Sequence, residues 1–238
     1  MFEMTRQITY SQVGQNLLVD MAMLTHFFQD CTLFHSDSIG KGVRNLEDNR
    51  RAWFLSSWQI EVVRYPSYGE RIRVRTWPHD FKGLYGYRNF EILDEQGEQI
   101  ARANSIWIFM DVENLRPMKP EPEDVEGYEM SPALDMEYAP RKIKVMQEAE
   151  AASMQRYDAI RVRRSFIDSN SHVNNGRYVT EAMEYVQNPE AITKMRVDYR
   201  KAATLGDYMI PVVYCGGDCE QIVFEDEQQQ PYVIMEMM

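Results

Sequence analysis

The stretch Asp168-Ser-Asn-Ser-His-Val-Asn-Asn-Gly-Arg-Tyr178 places a carboxylate, a carboxamide and an imidazole close together, at Asp168, Asn170 and His172. Alternate side chains of an extended segment lie on the same side, so we expect these three groups to share one face. A histidine next to a carboxylate is a common arrangement for general base catalysis. The stretch therefore predicts a site that activates a water molecule.

A helix is predicted to begin directly after these side chains, at Asn174 and Asn175. The first N–H groups of a helix have no partner within it and favour an anion, so they are suited to stabilise an oxyanion. Plain helix capping by the two asparagines explains the same pattern without any chemistry. Structural roles also stay open for His172, as a residue that orients the helix, and for Asp168, as a turn residue.

The chain on both sides of this stretch follows one plan twice. In the first half, residues 5–10 predict a strand and residues 14–31 a helix with apolar positions at helical spacing. Runs rich in β-branched and aromatic residues then predict strands at 56–65, 71–77, 86–93 and 100–110. The second half predicts a strand at 158–164, a helix at 175–186, and strands near 192–200, 207–214, 220–224 and 232–237.

The repeated plan predicts an α+β fold in two parts. We expect a first domain at 1–112 and a second at 156–238, with Gly69-Glu70 corresponding to Gly206-Asp207. Residues 113–155, rich in proline and glutamate, are predicted to be a linker with a short helix near 144–154. The first half reads Ser11-Gln-Val-Gly-Gln15 where the second reads Ser171-His-Val-Asn-Asn175, and it is therefore expected to lack the chemistry.

Composition narrows the class of protein. The formal net charge of −11 over 238 residues argues against non-specific binding to nucleic acid. No apolar run reaches the roughly 18 residues of a membrane span, and no signal-peptide core is found, so we expect a cytoplasmic protein. The three cysteines, Cys31, Cys215 and Cys219, predict neither a disulfide framework nor a zinc site.

The motif D-x-N-x-H-V-N-N-x-x-Y at 168–178 resembles the signature of acyl-ACP thioesterases. Trp53-Phe-Leu-Ser-Ser-Trp-Gln-Ile-Glu-Val-Val-Arg-Tyr-Pro-Ser-Tyr-Gly-Glu70 is similar to a second motif of that family, and Gly97-Glu98 and Ser105-Ile-Trp107 also agree. The resemblance runs from about Ile8 to Asp207. It implies two tandem hot-dog domains, each an antiparallel sheet wrapped around a long helix.

The resemblance also implies an activity, which is hydrolysis of fatty acyl-ACP to a free fatty acid and acyl carrier protein. In this scheme His172 and Asp168 act on water, Asn170 holds the carbonyl group or the water, and N–H groups near Asn174 and Asn175 stabilise the oxyanion. No metal or organic cofactor is implied. The oligomeric state stays open, with a homodimer as one option.

Two further sets of residues are predicted to serve this activity. Aromatic residues of the first half are candidates for an acyl pocket, with plain hydrophobic core as the alternative: Phe27, Phe28, Phe34, Trp53, Phe54 and Trp58. Basic residues of the second half are candidates for docking the acidic carrier protein, with solvated charge as the alternative: Arg161, Arg163, Arg164, Arg177, Arg200 and Lys201.

The chain departs from the family pattern at Ala202 and Ala203, where many members have Glu and plant members Cys. Neither alanine can exchange a proton, which rules out a Cys–His–Asn mechanism at this position. Two alternatives to a thioesterase are therefore kept. One is a hot-dog hydratase or dehydratase acting on an acyl thioester, although the expected proline after Asn170 is missing. The other is a non-catalytic protein that binds acyl thioesters.

Overall fold

The computed structural model describes residues 1–43 and 50–238. These residues form two compact units. The N-terminal unit comprises Met1–Ser56 and Ile60–Ala139, and the C-terminal unit comprises Ser57–Gln59 and Pro140–Met238. The main division therefore falls inside the segment 113–155 that the sequence predicts as a linker. Within the described ranges, no helix is both long enough and apolar enough to cross a bilayer.

The N-terminal unit is a sheet with one long helix. Its elements are β1 (Phe2–Gln7), α1 (Met21–Ser38), β2 (Arg51–Val62), β3 (Arg71–Lys82), β4 (Tyr85–Leu93), β5 (Gln99–Asp111), β6 (Arg116–Pro117) and α2 (Pro122–Val125). The strand order is β1-β3-β4-β5-β2, with β6 beside β5. α1 packs on β1 and β3, and the fully buried rings of Phe28 and Phe90 lie 5.1 Å apart between helix and sheet.

The C-terminal unit has the same kind of architecture with a shorter helix. Its elements are β7 (Ser153–Arg156), β8 (Ile160–Arg161), α3 (Asn175–Met183), β9 (Lys194–Tyr199), β10 (Tyr208–Gly216), β11 (Cys219–Glu225) and β12 (Pro231–Met237). The strand order is β9-β12-β11-β10-β7, and β8 also pairs with β10. Antiparallel strands and few helices make the fold α+β, as the sequence predicts.

The strands of the two units lie close to their predicted positions, whereas the first helix does not. The sequence starts it at residue 14 and ends it at residue 31, and both ends are wrong. It begins at Met21 because Asp20 caps it, accepting the Met23 N–H at 2.7 Å, and it runs on to Ser38. Residues 14–18 form a turn instead.

Two predictions for the region before the second helix are also wrong. Of the strand expected at 158–164, only the two residues of β8 form, and they pair with β10. β7 lies before this range and pairs with β10 separately. The helix expected at 144–154 is replaced by a 3₁₀ turn at Glu148–Glu150 and by β7. A side chain of the sheet takes the place of a helical bond here, because the Lys144 carbonyl oxygen accepts from the Gln221 amide at 3.0 Å. Asp198 and Gln221 also accept the N–H groups of Ile143 and Met146.

Candidate active site

Residues 167–173 form a tight hairpin. Ile167 and Val173 pair as an antiparallel bridge, and the Asp168 N–H donates to the carbonyl oxygen of His172 at 2.8 Å. Ser171 closes the turn by donating its N–H to the Asp168 carbonyl oxygen at 3.1 Å, with a left-handed φ of 63°. The expectation of an extended segment is therefore wrong, and strand alternation does not align the side chains.

The turn is stabilised by the Asp168 carboxylate. Its Oδ1 accepts the N–H of Asn170 at 2.8 Å and lies 3.4 Å from the His172 nitrogen. Asp168 and His172 are half-buried, whereas Asn170 is exposed. Within the part of the chain that the structure describes, no hydrogen bond joins a side chain to the His172 ring. Asp168 therefore fills the turn role considered above, while the imidazole is left accessible to a ligand.

The N-terminus of α3 follows directly. The Asn174 side chain caps the helix by accepting the Gly176 N–H at 2.9 Å, and the Asn174 N–H donates to the Phe166 carbonyl oxygen at 2.8 Å. The N–H of Asn175 has no recorded acceptor in the described residues. It is therefore the donor at this helix end that can serve an anion, and the hydroxyl of Tyr199 holds the same residue by donating to its carbonyl oxygen at 2.9 Å.

The two alanines at the family's Glu and Cys positions lie against this hairpin. The Ala203 carbonyl oxygen accepts the Val173 N–H at 2.9 Å, and Thr204 pairs with His172 as an antiparallel bridge. Ala203 is fully buried, whereas Ala202 is exposed. The departure from the family pattern thus falls directly beside the candidate base.

The N-terminal unit contains the same hairpin, at residues 14–18. The Gly14 N–H donates to the Leu18 carbonyl oxygen at 2.9 Å, and the Leu17 N–H donates to the Gly14 carbonyl oxygen at 3.0 Å. Leu17 has a φ of 59°, close to that of Ser171. These bonds match those of Asp168, Ser171 and His172 one for one, so the two hairpins have the same backbone arrangement.

The chain segment beside each hairpin also makes the same hydrogen bonds in both units. Val19 donates to the Pro66 carbonyl oxygen at 2.9 Å, and Leu18 pairs with Ser67 as an antiparallel bridge. The predicted correspondence of Gly69 with Gly206 agrees with these contacts, because their N–H groups donate to the carbonyl oxygens of Ile8 and Val162 respectively.

The correspondence expected between Ser11–Gln15 and Ser171–Asn175 is wrong, because the hydrogen bonds align Gly14 with Asp168 and Leu18 with His172. Asn16 occupies the place of Asn170. Since Gly14 has no side chain, the Asn16 carboxamide oxygen takes over the turn and accepts the Leu18 N–H at 3.0 Å. The N-terminal hairpin therefore keeps the amide of the motif but lacks its acid and its imidazole.

The aromatic candidates for an acyl pocket have different surroundings. Phe27 is fully buried with the guanidinium of Arg6 3.8 Å from its ring centre, and the Trp53 ring lies 4.8 Å from that of Phe109. The remaining candidates comprise the buried Phe28 and Trp58, the half-buried Phe54, and Phe34, which is 54% exposed. Their role as pocket residues stays a prediction.

The basic candidates separate into two groups. Three of them are held by acids of the same chain: Arg177 by Glu181 at 2.6 Å, Arg200 by Asp198 at 2.8 Å, and Lys201 by Asp226 at 2.7 Å. The other three are exposed and have no recorded ion pair in the described ranges: Arg161, Arg163 and Arg164. Arg161 and Arg163 do not share the strand predicted at 158–164, because β8 ends at Arg161.

A second polar cluster lies inside the N-terminal unit. Arg88, which is 6% exposed, lies between His35 and Thr76, with its Nη1 2.9 Å from the His35 Nδ1 and 3.1 Å from the Thr76 hydroxyl. Burial, and then the charge of Arg88, lowers the pKa of His35 to about 4. Burial also lowers the pKa of Arg88 to about 10. His35 is therefore neutral and structural, and it lies on α1 beyond the helix end predicted at residue 31.

Other His and Cys side chains lie on the strands or pack against them. His79 lies on β3 and contacts the Asn104 carboxamide at 3.2 Å. Cys31 is buried and donates to the Val74 carbonyl oxygen, and burial raises its pKa to about 12. Cys215 and Cys219 are free thiols. In the described residues no group of three His, Cys, Asp or Glu side chains is placed to hold a metal ion.

Comparison with known proteins gives the family. Residues 1–128 match the model of the acyl-ACP thioesterase N-terminal domain, and residues 146–230 match that of the acyl-ACP thioesterase C-terminal domain. The chain therefore belongs to the acyl-ACP thioesterase family. These matches do not favour the hydratase alternative.

Curated relatives and solved structures agree with this assignment. The chain is 25% identical over 215 residues to oleoyl-acyl carrier protein thioesterase 1, chloroplastic, of Arabidopsis thaliana, covering 82% of this chain and 59% of that protein. It is 27% identical over 219 residues to the chloroplastic dodecanoyl-[acyl-carrier-protein] hydrolase of Cinnamomum camphora, covering 86% and 56%. The chain thus spans less than two thirds of the length of these relatives.

Two solved structures share the fold along nearly the whole chain. An acyl-ACP thioesterase from Bacteroides thetaiotaomicron has a TM-score of 0.88 at 21% identity, covering 99% of this chain and 96% of that one. The 12:0-ACP thioesterase from Umbellularia californica has a TM-score of 0.82 at 21% identity, covering 99% and 95%. At these identities the likeness concerns the fold.

Proposed function

We propose that the chain hydrolyses the thioester of fatty acyl-ACP, releasing a fatty acid and free acyl carrier protein. Membership of the family supports this proposal. The observation that carries it is the hairpin at 167–173, which holds an accessible imidazole next to a helix N-terminus with a free N–H. The matching hairpin at 14–18 lacks the acid and the imidazole, which supports placing the proposed chemistry in the C-terminal unit.

The duplicated hairpin also supports the proposal of two tandem hot-dog domains. Each unit has a helix that begins just after the hairpin, with Asp20 or Asn174 as its cap. Each also has a strand segment that accepts the N–H of the residue after Leu18 or His172. We keep 1–112 and 156–238 as the proposed domains and 113–155 as the proposed linker.

The proposed reaction uses water as the nucleophile. His172 removes a proton from water as it attacks the thioester carbonyl carbon, and the N–H of Asn175 stabilises the resulting oxyanion. The C–S bond then breaks, and His172 returns the proton to the departing thiolate. Asp168 fixes the backbone of His172, and its carboxylate is proposed to act together with the imidazole on the water. Asn170 is proposed to hold the water or the carbonyl group.

The proposed partner is acyl carrier protein, docked through the exposed guanidinium groups of Arg161 and Arg163. Exposed charges of this kind mainly accelerate encounter with an acidic partner. Arg177 and Arg200 are less suitable than the sequence suggests, because Glu181 and Asp198 already neutralise them. A homodimer and a cytoplasmic location stay predictions.

Release of the carrier thiol from acyl-ACP tests the proposed function. The purified chain is incubated with acyl-ACP over a series of acyl chain lengths, and free thiol and free fatty acid are measured. We expect both products in equal amounts, with a clear preference for some chain lengths. Acyl-ACP that is bound but recovered intact would show a non-catalytic binding protein. Neither binding nor release would reject the proposal.

A further inference from the structure

Tyr178, the last residue of the sequence motif, has a specific hydrogen bond that the proposed chemistry does not use. It lies on α3 and is only 2% exposed. Its hydroxyl oxygen accepts the N–H of Ala203 at 3.0 Å. Its ring lies 6.1 Å from that of Tyr199, whose hydroxyl holds the carbonyl oxygen of Asn175. The two tyrosines therefore bind backbone groups on both sides of the candidate site.

Ala203 is the link between Tyr178 and His172. Its N–H binds the tyrosine hydroxyl, and its carbonyl oxygen binds the N–H of Val173, the residue after His172. The next residue, Thr204, pairs with His172 itself. A displacement of the backbone at 203 is thus transmitted directly to the backbone that carries the imidazole.

The N-terminal unit provides an internal comparison. Counting from the helix caps Asp20 and Asn174, the residue that corresponds to Tyr178 is Leu24, which is fully buried and has no hydroxyl. The residue that corresponds to Ala203 is Pro66, since each accepts the N–H of the matching valine. Proline has no N–H to donate. The hydroxyl and the N–H that it binds are therefore both absent from the unit that lacks the imidazole.

We propose that Tyr178 is a positioning residue for the reaction, which fixes His172 through the backbone of Ala203. This inference rests on the proposed function. A buried N–H needs a hydrogen-bond partner. The N-terminal unit has proline at this position and therefore has no N–H that would need a tyrosine hydroxyl. The hydroxyl is present in the unit that carries the imidazole and absent from the other unit, and small displacements of a catalytic group greatly reduce turnover.

The first test is Tyr178→Phe, which removes the hydroxyl and keeps the ring. We expect kcat for acyl-ACP to fall about tenfold with KM nearly unchanged, because the group acts on the orientation of His172 and not on the substrate. The matched control is Tyr214→Phe, since Tyr214 is buried in the same unit and its hydroxyl has no recorded partner in the described residues. The control should keep the parental kcat.

A double variant separates orientation from stability. Tyr178→Phe leaves the Ala203 N–H buried without a partner, so it should also lower Tm. Adding Ala203→Pro removes that N–H and copies the pair of features found in the N-terminal unit. We expect Tm to recover while kcat stays low. If kcat recovers together with Tm, or if the single variant keeps the parental kcat, Tyr178 serves only the fold and the inference is overturned.

If the double variant does not fold, an NMR measurement tests the inference instead. This measurement does not depend on enzyme activity. The ring signals of the four histidines can be followed in isotope-labelled protein. In Tyr178→Phe we expect the His172 signals to move while those of His35 and His79 stay in place. Unmoved His172 signals would overturn the inference. A parent enzyme without thioesterase activity would instead reject the proposed function, whatever the His172 signals show.

Discussion

Leu18 occupies in the N-terminal hairpin the position that His172 occupies in the C-terminal hairpin. Each residue pairs with a hydroxyl residue of the neighbouring strand segment, Ser67 in one case and Thr204 in the other. Each is also followed by a valine that donates to a carbonyl oxygen of that segment at 2.9 Å. The two backbones are thus equivalent, and the difference between the hairpins lies in the side chains.

This equivalence supplies a matched control for the candidate base. We predict that His172→Ala lowers the rate of acyl-ACP hydrolysis about a hundredfold or more, the usual effect of losing a general base. Leu18→Ala truncates the corresponding side chain in the other hairpin and should leave kcat near the parental value. Circular dichroism and Tm confirm that both variants are folded. Equal turnover in parent and His172→Ala would remove His172 from the mechanism.

The charge of Asp168 can be separated from its role in the turn. Asp168→Asn keeps an oxygen that accepts the N–H of Asn170, so the hairpin should form, but it removes the negative charge. We predict a fall in kcat of about tenfold or more with little change in Tm. Asp168→Ala should lower both, because the turn also loses its acceptor. Full activity in Asp168→Asn would show that Asp168 is a turn residue only.

A third prediction concerns the departure from the family pattern. Ala202 is exposed, and it directly precedes the residue that binds Val173. Ala202→Glu restores the acidic group of the family next to the candidate base without displacing a buried side chain. We predict that kcat stays the same or rises, measured by thiol release. A fall in kcat in a folded variant would mean that this site works in a different way from those of its relatives.

A fourth prediction tests docking of the carrier. Arg161→Glu combined with Arg163→Glu should raise the apparent KM for acyl-ACP about fivefold at low salt, and less at high salt, because screening shortens the range of surface charges. Hydrolysis of a short thioester without the carrier should be unchanged. Lys119→Glu, an exposed charge of the N-terminal unit, is the control. Equal losses on both substrates would assign these arginines to the fold or the active site.

The cluster around His35 predicts a dependence of stability on pH. Its pKa is about 4 in the folded protein, against an ordinary value of 6.5. Above pH 6.5 it is neutral in both states, so its full contribution to stability is present. As the pH falls from 6.5 to 4, the unfolded chain takes up a proton that the folded protein does not, and the free energy of unfolding decreases.

We therefore predict that the parent loses up to about 3 kcal/mol more than His35→Gln between pH 7 and pH 4. Urea unfolding at several pH values measures the difference, since glutamine does not titrate and all other groups are shared. Parallel curves for the two proteins would mean that His35 takes up its proton at the same pH in the folded and unfolded states, and would contradict the lowered pKa given above.

The strands could be predicted from the sequence, because runs of β-branched and aromatic residues bounded by turn residues are typical of strands on a half-buried sheet. The start of α1 could not, since Leu17 fits the helical spacing but lies in a turn with a left-handed φ. The hairpin at 167–173 was mistaken for an extended segment because strand spacing does not reveal that the Asp168 carboxylate binds the backbone.

The contacts of single site residues also differ in whether the sequence predicts them. The ion pair of Arg177 with Glu181 is a helical pair four residues apart and could have been read from the sequence. The bond of Tyr178 to Ala203 joins residues that are distant in the chain, so only the structure reveals it. Tyr178 belongs to the motif at 168–178, but its spacing in the sequence predicts no role for it.

The hairpins of the two halves share the same backbone hydrogen bonds, although the side chain that adds a further acceptor comes from a different position in each, Asp168 in one and Asn16 in the other. An added Cβ at Gly14 would meet the Asn16 oxygen at 3.5 Å, an ordinary contact distance. Gly14→Asp together with Leu18→His would therefore transplant the acid and the imidazole into the N-terminal unit without rebuilding its backbone. A duplicated chain of this kind therefore keeps a second copy of the hairpin backbone. New catalytic side chains can be introduced there while the first site stays active.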